Sequence, residues 1–309
     1  MSTGESQEAT ALDLDGKRRD RPQERSDAAV ALGDPHREVY THGYTSQVAA
    51  YMAARRASRE AQFLLPHLRV GVRLLDCGCG PGSTTLDLAA AIAPGQVEGI
   101  DIEPSQIAAA QARAAERDLT NVHFQVASIY QLPFPTGSFD AVFAHTVIQH
   151  LRDPLQALRE LRRVLAVGGV VGVRDDDWGT ILLEPATPLL QLWSSLNVQV
   201  WTHNGGDPFV GRKHRRLLNE AGFVRTQASS SCESYGSREK TSGAAAVMVD
   251  HHRAPAFVQV VLDQGWADQR ALEAMYREIL AWGERDDAFL SLTYCEATGW
   301  KSEDPTPGS

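Results

Sequence analysis

The sequence predicts an α/β protein with a doubly wound, mostly parallel seven-stranded sheet, and three observations carry that prediction. An apolar strand runs into an acid and three alternating glycines over Leu74 to Gly82, LLDCGCGPG. From there strands and helices alternate as far as Asp177, a pattern that right-handed crossovers turn into a parallel sheet. Two late runs, VRTQASSSCESYG and AFLSLTYCEATGW, supply strands six and seven.

Taken in chain order, residues 45–68 read as one helical stretch, interrupted late by Pro66 and packed beside the glycine turn. The first strand falls near 72–76, where Leu74 and Leu75 suit a strand buried on both faces and Asp76 ends it. Ser83 is placed to cap the helix TTLDLAAAIA. QVEGID forms the second strand and ends at Asp101, after which Glu103 and Pro104 open an alanine-rich helix. The third, fourth and fifth strands are expected near 122–127, 139–144 and 169–174, with the first and fourth as neighbours. Helices follow near 186–203 and 211–222. About fifty residues separate strands six and seven; a structureless loop of that size is unusual, so 237–287 is assigned to two apolar-faced helices, an insertion expected to act as a lid. The domain is bounded at 40–301, between a disordered tail over 1–39 and a flexible end over 302–309.

The glycine turn carries the chemistry. Gly78, Gly80 and Gly82 let the backbone turn sharply and pass close to a ligand. A dinucleotide fingerprint would read G-x-G-x-x-G, with a pyrophosphate over the helix N-terminus. Here the pattern is D-x-G-x-G-P-G, and Pro81 has no N–H to offer a phosphate. Asp101 follows nineteen residues beyond Gly82, where a doubly wound fold places an acid that accepts from both ribose hydroxyls. These residues resemble motifs I and II of the class I S-adenosylmethionine methyltransferases. The L-P-F element at Leu132 to Phe134, the S-F-D-A-V strand at Ser138 to Val142, the His150 turn and R-V-L-x-x-G-G at Arg163 to Gly169 extend the resemblance to the type 11 subgroup, over roughly Val70 to Asp176.

The resemblance implies S-adenosylmethionine as cofactor, with S-adenosylhomocysteine as product, and cofactor contacts from Tyr44, Asp76, Gly78, Gly80, Gly82, Asp101, Ile102, Gln106, Ala127, Ser128, Ile129 and His145. One position departs from the subgroup pattern: Ala127, Ser128 and Ile129 stand where an Asp usually accepts from the adenine amino group, and Ser128 can accept that bond without charge. No metal is required for the transfer. If the acceptor must lose a proton, the candidate bases are His145, just after strand four, His150 on the following turn, and the acidic run Asp175, Asp176 and Asp177 after strand five, with His145, Asp176 and Asp177 the expected catalytic residues. Adjacent carboxylates repel one another unless a cation or donor is near, and a substrate amine would serve. Trp178, Trp193 and Trp201 either stack an aromatic acceptor or pack along apolar helices.

Composition bounds the partner. The 309 residues carry 43% hydrophobic and 22% charged residues, enough for one large α/β core, and a formal charge of −9 works against a nucleic-acid acceptor. The stretch GRKHRR is read as the solvated face of a helix. No run of eighteen apolar residues and no signal-peptide pattern occurs, so the expectation is a soluble cytoplasmic protein with no membrane partner, a monomer or homodimer, with its four cysteines reduced. The leading expectation is transfer of a methyl group to N or O of a small molecule. A non-catalytic S-adenosylmethionine-binding protein and a methyltransferase acting on a protein or peptide stay open.

Overall fold

The computed structural model describes residues 46–303. The expected N-terminal tail over 1–39, Tyr44, and the last six residues of the C-terminal end lie outside the described residues.

Helices α1 (Ser46–Ala53) and α2 (Ala57–Glu60) replace the single helix expected there. Arg56 breaks it with extended backbone, φ −137° and ψ 140°. The Ala57 N–H then donates to Asp87 Oδ2 at 3.2 Å and ties the segment to the next helix. Strand β1 (Arg73–Cys77) leads through the glycine turn into α3 (Ser83–Ile92), followed by β2 (Gln96–Asp101), α4 (Pro104–Glu116), β3 (Val122–Val126), β4 (Phe139–His145) and α5 (Pro154–Val164). Ser83 is not the cap of α3: Gly82 holds that position at φ +79°, and the Ser83 hydroxyl accepts from Arg113 Nη1 at 3.1 Å. Capping of α4 is as expected, with Glu103 accepting from the Ser105 N–H and Pro104 in the first turn.

Strand β5 (Leu165–Glu184) is far longer than the expected 169–174, because the antiparallel partner that ends the chain zips along nearly all of it. Then come α6 (Pro188–His203), α7 (His214–Glu220), β6 (Val224–Tyr235), α8 (Arg238–His252), α9 (Pro255–Asp263), α10 (Gln269–Gly283) and β7 (Phe289–Trp300). The insertion between β6 and β7 is thus three helices rather than two, since Pro255 cannot continue α8 and starts α9 instead.

The sheet order is β3-β2-β1-β4-β5-β7-β6, with β1 to β5 parallel and β7 antiparallel between β5 and β6. The order reverses between β1 and β4, and in such sheets the ligand crevice opens there, at the carboxyl ends of the strands. One apolar core fills the face under α5 and α7, and another, around Leu64, Leu88 and Phe143, fills the opposite face. A separate core, built from α6, α8, α9 and α10, seats the insertion helices on the projecting ends of β5, β6 and β7. Among the described residues, no helix is long and apolar enough to cross a membrane.

One buried cation links these layers. Arg174 on β5 is 2% exposed. Its Nη1 donates to Glu60 Oε2 of α2 at 2.6 Å, its Nε to Glu296 Oε1 of β7 at 3.3 Å, and its guanidinium lies 3.8 Å over the Tyr294 ring. Removing one partner of a buried pair leaves an uncompensated charge. Arg174→Met is therefore expected to lower the unfolding free energy by about 3–5 kcal/mol in urea titrations. The double variant with Glu60→Gln should lose less than the single one; equal losses would show that the ion pair is not what holds these layers.

Candidate active site

Two recesses meet at the switch point. The first lies over the glycine turn and is lined by Asp76, Gly78, Pro81, Thr84, Phe143 and His145. Gly78 has φ +70°, and a Cβ there would fall 2.2 Å from Val147 Cγ2, so only glycine lets the turn lie against the segment that follows β4. The Asp76 side chain is buried and accepts from the Thr85 hydroxyl at 2.6 Å; burial pushes its carboxyl up to about 7. Asp101 is fixed at the rim, where Oδ2 accepts from the Gly80 N–H and Oδ1 from the Glu103 N–H, each at 2.9 Å. Burial raises its carboxyl as well, against those two bonds. Behind it on α4, Gln106 is buried with Oε1 unpartnered. Ile102 is half exposed, the Ala127 N–H donates to the Asp101 carbonyl, Ser128 Oγ accepts from the Tyr130 N–H at 3.3 Å, and Ile129 is buried.

The second recess is a cavity of about 150 Å³ under the insertion helices. Its walls are Trp178 of β5, Trp193 of α6, Met248 and His252 of α8, and Leu292 and Tyr294 of β7. Met52 of α1 and Arg55, between α1 and α2, line both recesses, which therefore share a wall.

Strand alternation decides which of the expected catalytic residues reach these spaces. Arg174, Asp176 and Trp178 share one face of β5, and their register partners Glu296 and Tyr294 share it with them. Asp176 lines the cavity, accepts from Trp178 Nε1 at 3.1 Å through Oδ2, and leaves Oδ1 buried without a partner. Burial, with Asp175 next to it, pushes its carboxyl up to about 7. Asp175 and Asp177 face the other way. Asp175 Oδ1 accepts from the Gln149 N–H, and His214 Nε2 lies 3.0 Å from its Oδ2. Asp177 is bound by the Arg212 fork at 2.5 and 2.6 Å and does not line the cavity. The three carboxylates are thus not one cluster at a strand end, as the sequence suggested, but are split between two faces in mid-strand.

His145 lines the glycine-turn recess, but its Nε2 is engaged. An arginine can only donate, so the 2.8 Å contact with Arg174 Nη1 makes Nε2 the acceptor and puts the ring proton on Nδ1. Burial, with Arg55 and Arg174 nearby, holds the imidazole well below its usual pKa. His150 lines the cavity and is likewise neutral, held down to about 3 by burial, with Nδ1 accepting from Trp201 Nε1 at 2.8 Å. Trp201 is therefore structural, whereas Trp178 and Trp193 meet the cavity. Sequence reasoning missed Met52, Arg55, Glu60 and Tyr294. Of these only Tyr294 left a signal, its alternation with Glu296 along strand seven.

The family described as Methyltransferase domain matches residues 75–173. An uncharacterized methyltransferase of Schizosaccharomyces pombe is 33% identical over 208 residues, covering 63% of this chain and 72% of that protein. The 27-O-demethylrifamycin SV methyltransferase of Amycolatopsis mediterranei is 36% identical over 137 residues, 43% of this chain and 50% of that one. The crystal structure of the YcgJ protein from Bacillus subtilis shares the fold, with a TM-score of 0.56 at 19% identity over 80% of this chain and all of that one.

The raised Asp176 carboxyl has a thermodynamic consequence. Its folded pKa of about 7 lies above its unfolded value, so the folded state holds a proton that the unfolded chain releases. Stability from this group is fully present below the unfolded pKa and is lost as pH rises through about 7. Asp176→Asn removes the penalty. The variant should match the parent near pH 4 and exceed it by on the order of 2–4 kcal/mol above pH 8, with the difference growing between. A pH-independent difference in denaturant titrations would refute the assignment.

Proposed function

The chain belongs to the type 11 group of class I S-adenosylmethionine-dependent methyltransferases, and from that premise we propose that it methylates N or O of a small molecule held in the aromatic cavity. The observation that carries this reading is the shared wall: the recess over the glycine turn and the cavity under the insertion helices are both lined by Met52 and Arg55.

The residues fit the cofactor. Side chains at Gly78 and Gly80 would collide with Val147 and with Met52, Asp101 presents a fixed carboxylate with further acceptor capacity at the rim, and Gln106 has a buried oxygen to satisfy. In this reading Asp101 holds the ribose hydroxyls, Asp76 faces the amino-acid portion, and Ile102, Ala127, Ser128 and Ile129 flank the adenine. When bound, the cofactor supplies an electrophilic methyl on a sulfonium sulfur. The recess over the turn measures only about 20 Å³, so Met52 and Arg55, which roof it, must swing aside to admit a nucleoside.

On the acceptor side, Asp176 is the proposed base. Its carboxyl near 7 matches a general base working at neutral pH, and its Oδ1 is unoccupied. His145 has its acceptor nitrogen committed to Arg174, so its role is to wall the cofactor recess and to position that arginine. Asp177 acts through Arg212, holding the strand rather than the acceptor. Alignment of two bound reactants contributes the larger share, roughly 7–11 kcal/mol when the geometry is near attack. The insertion helices close the cavity from above and act as its lid. The Amycolatopsis relative, named for methylating a demethylrifamycin, supports a small-molecule acceptor, and the charge of −9 argues against a polyanion.

Incubating the chain with methyl-labelled cofactor and a metabolite extract should place label in a small-molecule fraction; label on protein alone would overturn the acceptor assignment. Once an acceptor is in hand, Asp176→Asn should lower kcat about 10²–10⁴-fold and abolish the rise of rate with pH through 7. Asp101→Ala should instead weaken adenosylhomocysteine binding in calorimetry while leaving the acceptor's KM nearly unchanged. The reverse pattern would exchange the two roles.

A further inference from the structure

We propose that the cavity takes a neutral single-ring aromatic acceptor, a phenol or arylamine, that donates a hydrogen bond to Asp176 and accepts one from Trp193. The proposal rests on the methyltransferase reading for the reaction the ring undergoes, though not for the ring's fit.

Size comes first. The cavity measures about 150 Å³. An apolar cavity of about that volume holds one benzene ring, so a substituted single ring comes near its limit and a substituted two-ring system overfills it. The walls suit an aromatic guest, since Trp178 and Trp193 form a corner with ring centroids 5.7 Å apart and planes tilted by 54°, closed by Met248, Leu292 and Tyr294.

Polarity comes second. Buried polar atoms are nearly always hydrogen-bonded, and exceptions ask for an explanation. Lining this cavity in that condition are Asp176, 6% exposed, with Oδ1 lacking a partner, Trp193, 3% exposed, with Nε1 lacking one, and Gln149, 1% exposed, with Oε1 lacking one. Carboxylate and amide oxygens accept and an indole N–H only donates, so the complementary guest carries at least one donor, for Asp176 or Gln149, and one acceptor, for Trp193. Arg55 already lines the cavity with a positive charge, so Asp176 needs no cationic guest to balance it. On methyl transfer the acceptor's O–H or N–H proton passes to Asp176 Oδ1, and the oxygen or nitrogen electron pair forms the new bond to carbon as the bond from that carbon to sulfur breaks.

The test is binding to the full chain by calorimetry. The probes are the three hydroxyacetophenones, which carry donor and acceptor, then phenol, acetophenone, and the two-ring 6-hydroxy-2-acetonaphthone. At least one hydroxyacetophenone should bind about 2–10-fold more tightly than phenol or acetophenone, the yield of one hydrogen bond, and the two-ring probe should give no heat. Trp193→Phe should bring the hydroxyacetophenone down to the level of phenol and leave phenol unchanged. Met248→Ala, which enlarges the cavity, should admit the two-ring probe. Failure of every single-ring probe to bind, a two-ring probe that binds the parent as tightly, or indifference to Trp193→Phe would each overturn the proposal. Adenosylhomocysteine titrated into the same samples reports separately on the cofactor: heat there with no ring bound overturns only the cavity assignment, and ring binding without that heat supports this assignment while sinking the methyltransferase reading.

Discussion

A guanidinium buried in the middle of the sheet is the constraint on which the rest of this structure depends. Arg174 cannot lose its proton, so every atom around it has to satisfy a permanent charge. Glu60 comes from α2, Glu296 from β7 and His145 from β4, and Tyr294 offers its ring face. Glu296 in turn accepts from Ser229 and Ser231 of β6, and Glu60 pairs with Arg59, which reaches Glu233 at 2.9 Å. A single charge thereby draws the segment that roofs the glycine turn, the parallel sheet and the antiparallel pair into one network. Both recesses inherit their walls from it, His145 in one and Tyr294 in the other.

The same face of β5 carries the acid proposed as the base. Alternation puts Arg174, Asp176 and Trp178 on the side covered by α1, α6 and α8, and sends Asp175 and Asp177 to the side covered by α7. Repulsion among three consecutive acids is relieved by geometry, with a separate partner for each: Arg212 for Asp177, the Gln149 N–H and His214 for Asp175, and Trp178 for Asp176. Asp176 Oδ1 and Asp175 Oδ2 both accept no hydrogen bond, but Asp175 Oδ2 lies 3.0 Å from His214 Nε2, and of the three acids only Asp176 faces the cavity.

Local signals were legible in the sequence, and long-range register was not. The glycine turn, Asp101, the capping of α4 by Glu103 and the adjacency of β1 and β4 follow from residues close together in the chain or from the handedness of crossovers. The true length of β5 depends on pairing with a strand more than a hundred residues away, so its acids read as a strand end when they lie in its middle. The Arg56 break in the first helix and the Pro255 break in the insertion are tertiary and local respectively, and only the proline was visible in principle. His145 shows the limit most clearly. It was expected just after strand four and is instead the last residue of that strand, and the partner that engages its nitrogen lies on the neighbouring strand, where no spacing rule would look.

The acid facing the cavity is held at a cost the fold does not need. An ionised carboxylate in a dry, aromatic enclosure is destabilising, and an amide of the same shape would relieve it. Such conflicts between local preference and global stability are where function is to be sought, because packing alone would have removed them. Asp175 and Asp177 are at least as buried, but each lies against a basic side chain, His214 and Arg212 respectively, so burial is not the distinction. What sets Asp176 apart is an unpartnered oxygen on the cavity, whose lining residues Trp193 and Gln149 also carry buried polar atoms without partners, with the glycine-turn recess beyond a shared wall. The network around Arg174 fixes that position from behind, through the strand both residues share, and so lets a costly group stay where the chemistry requires it.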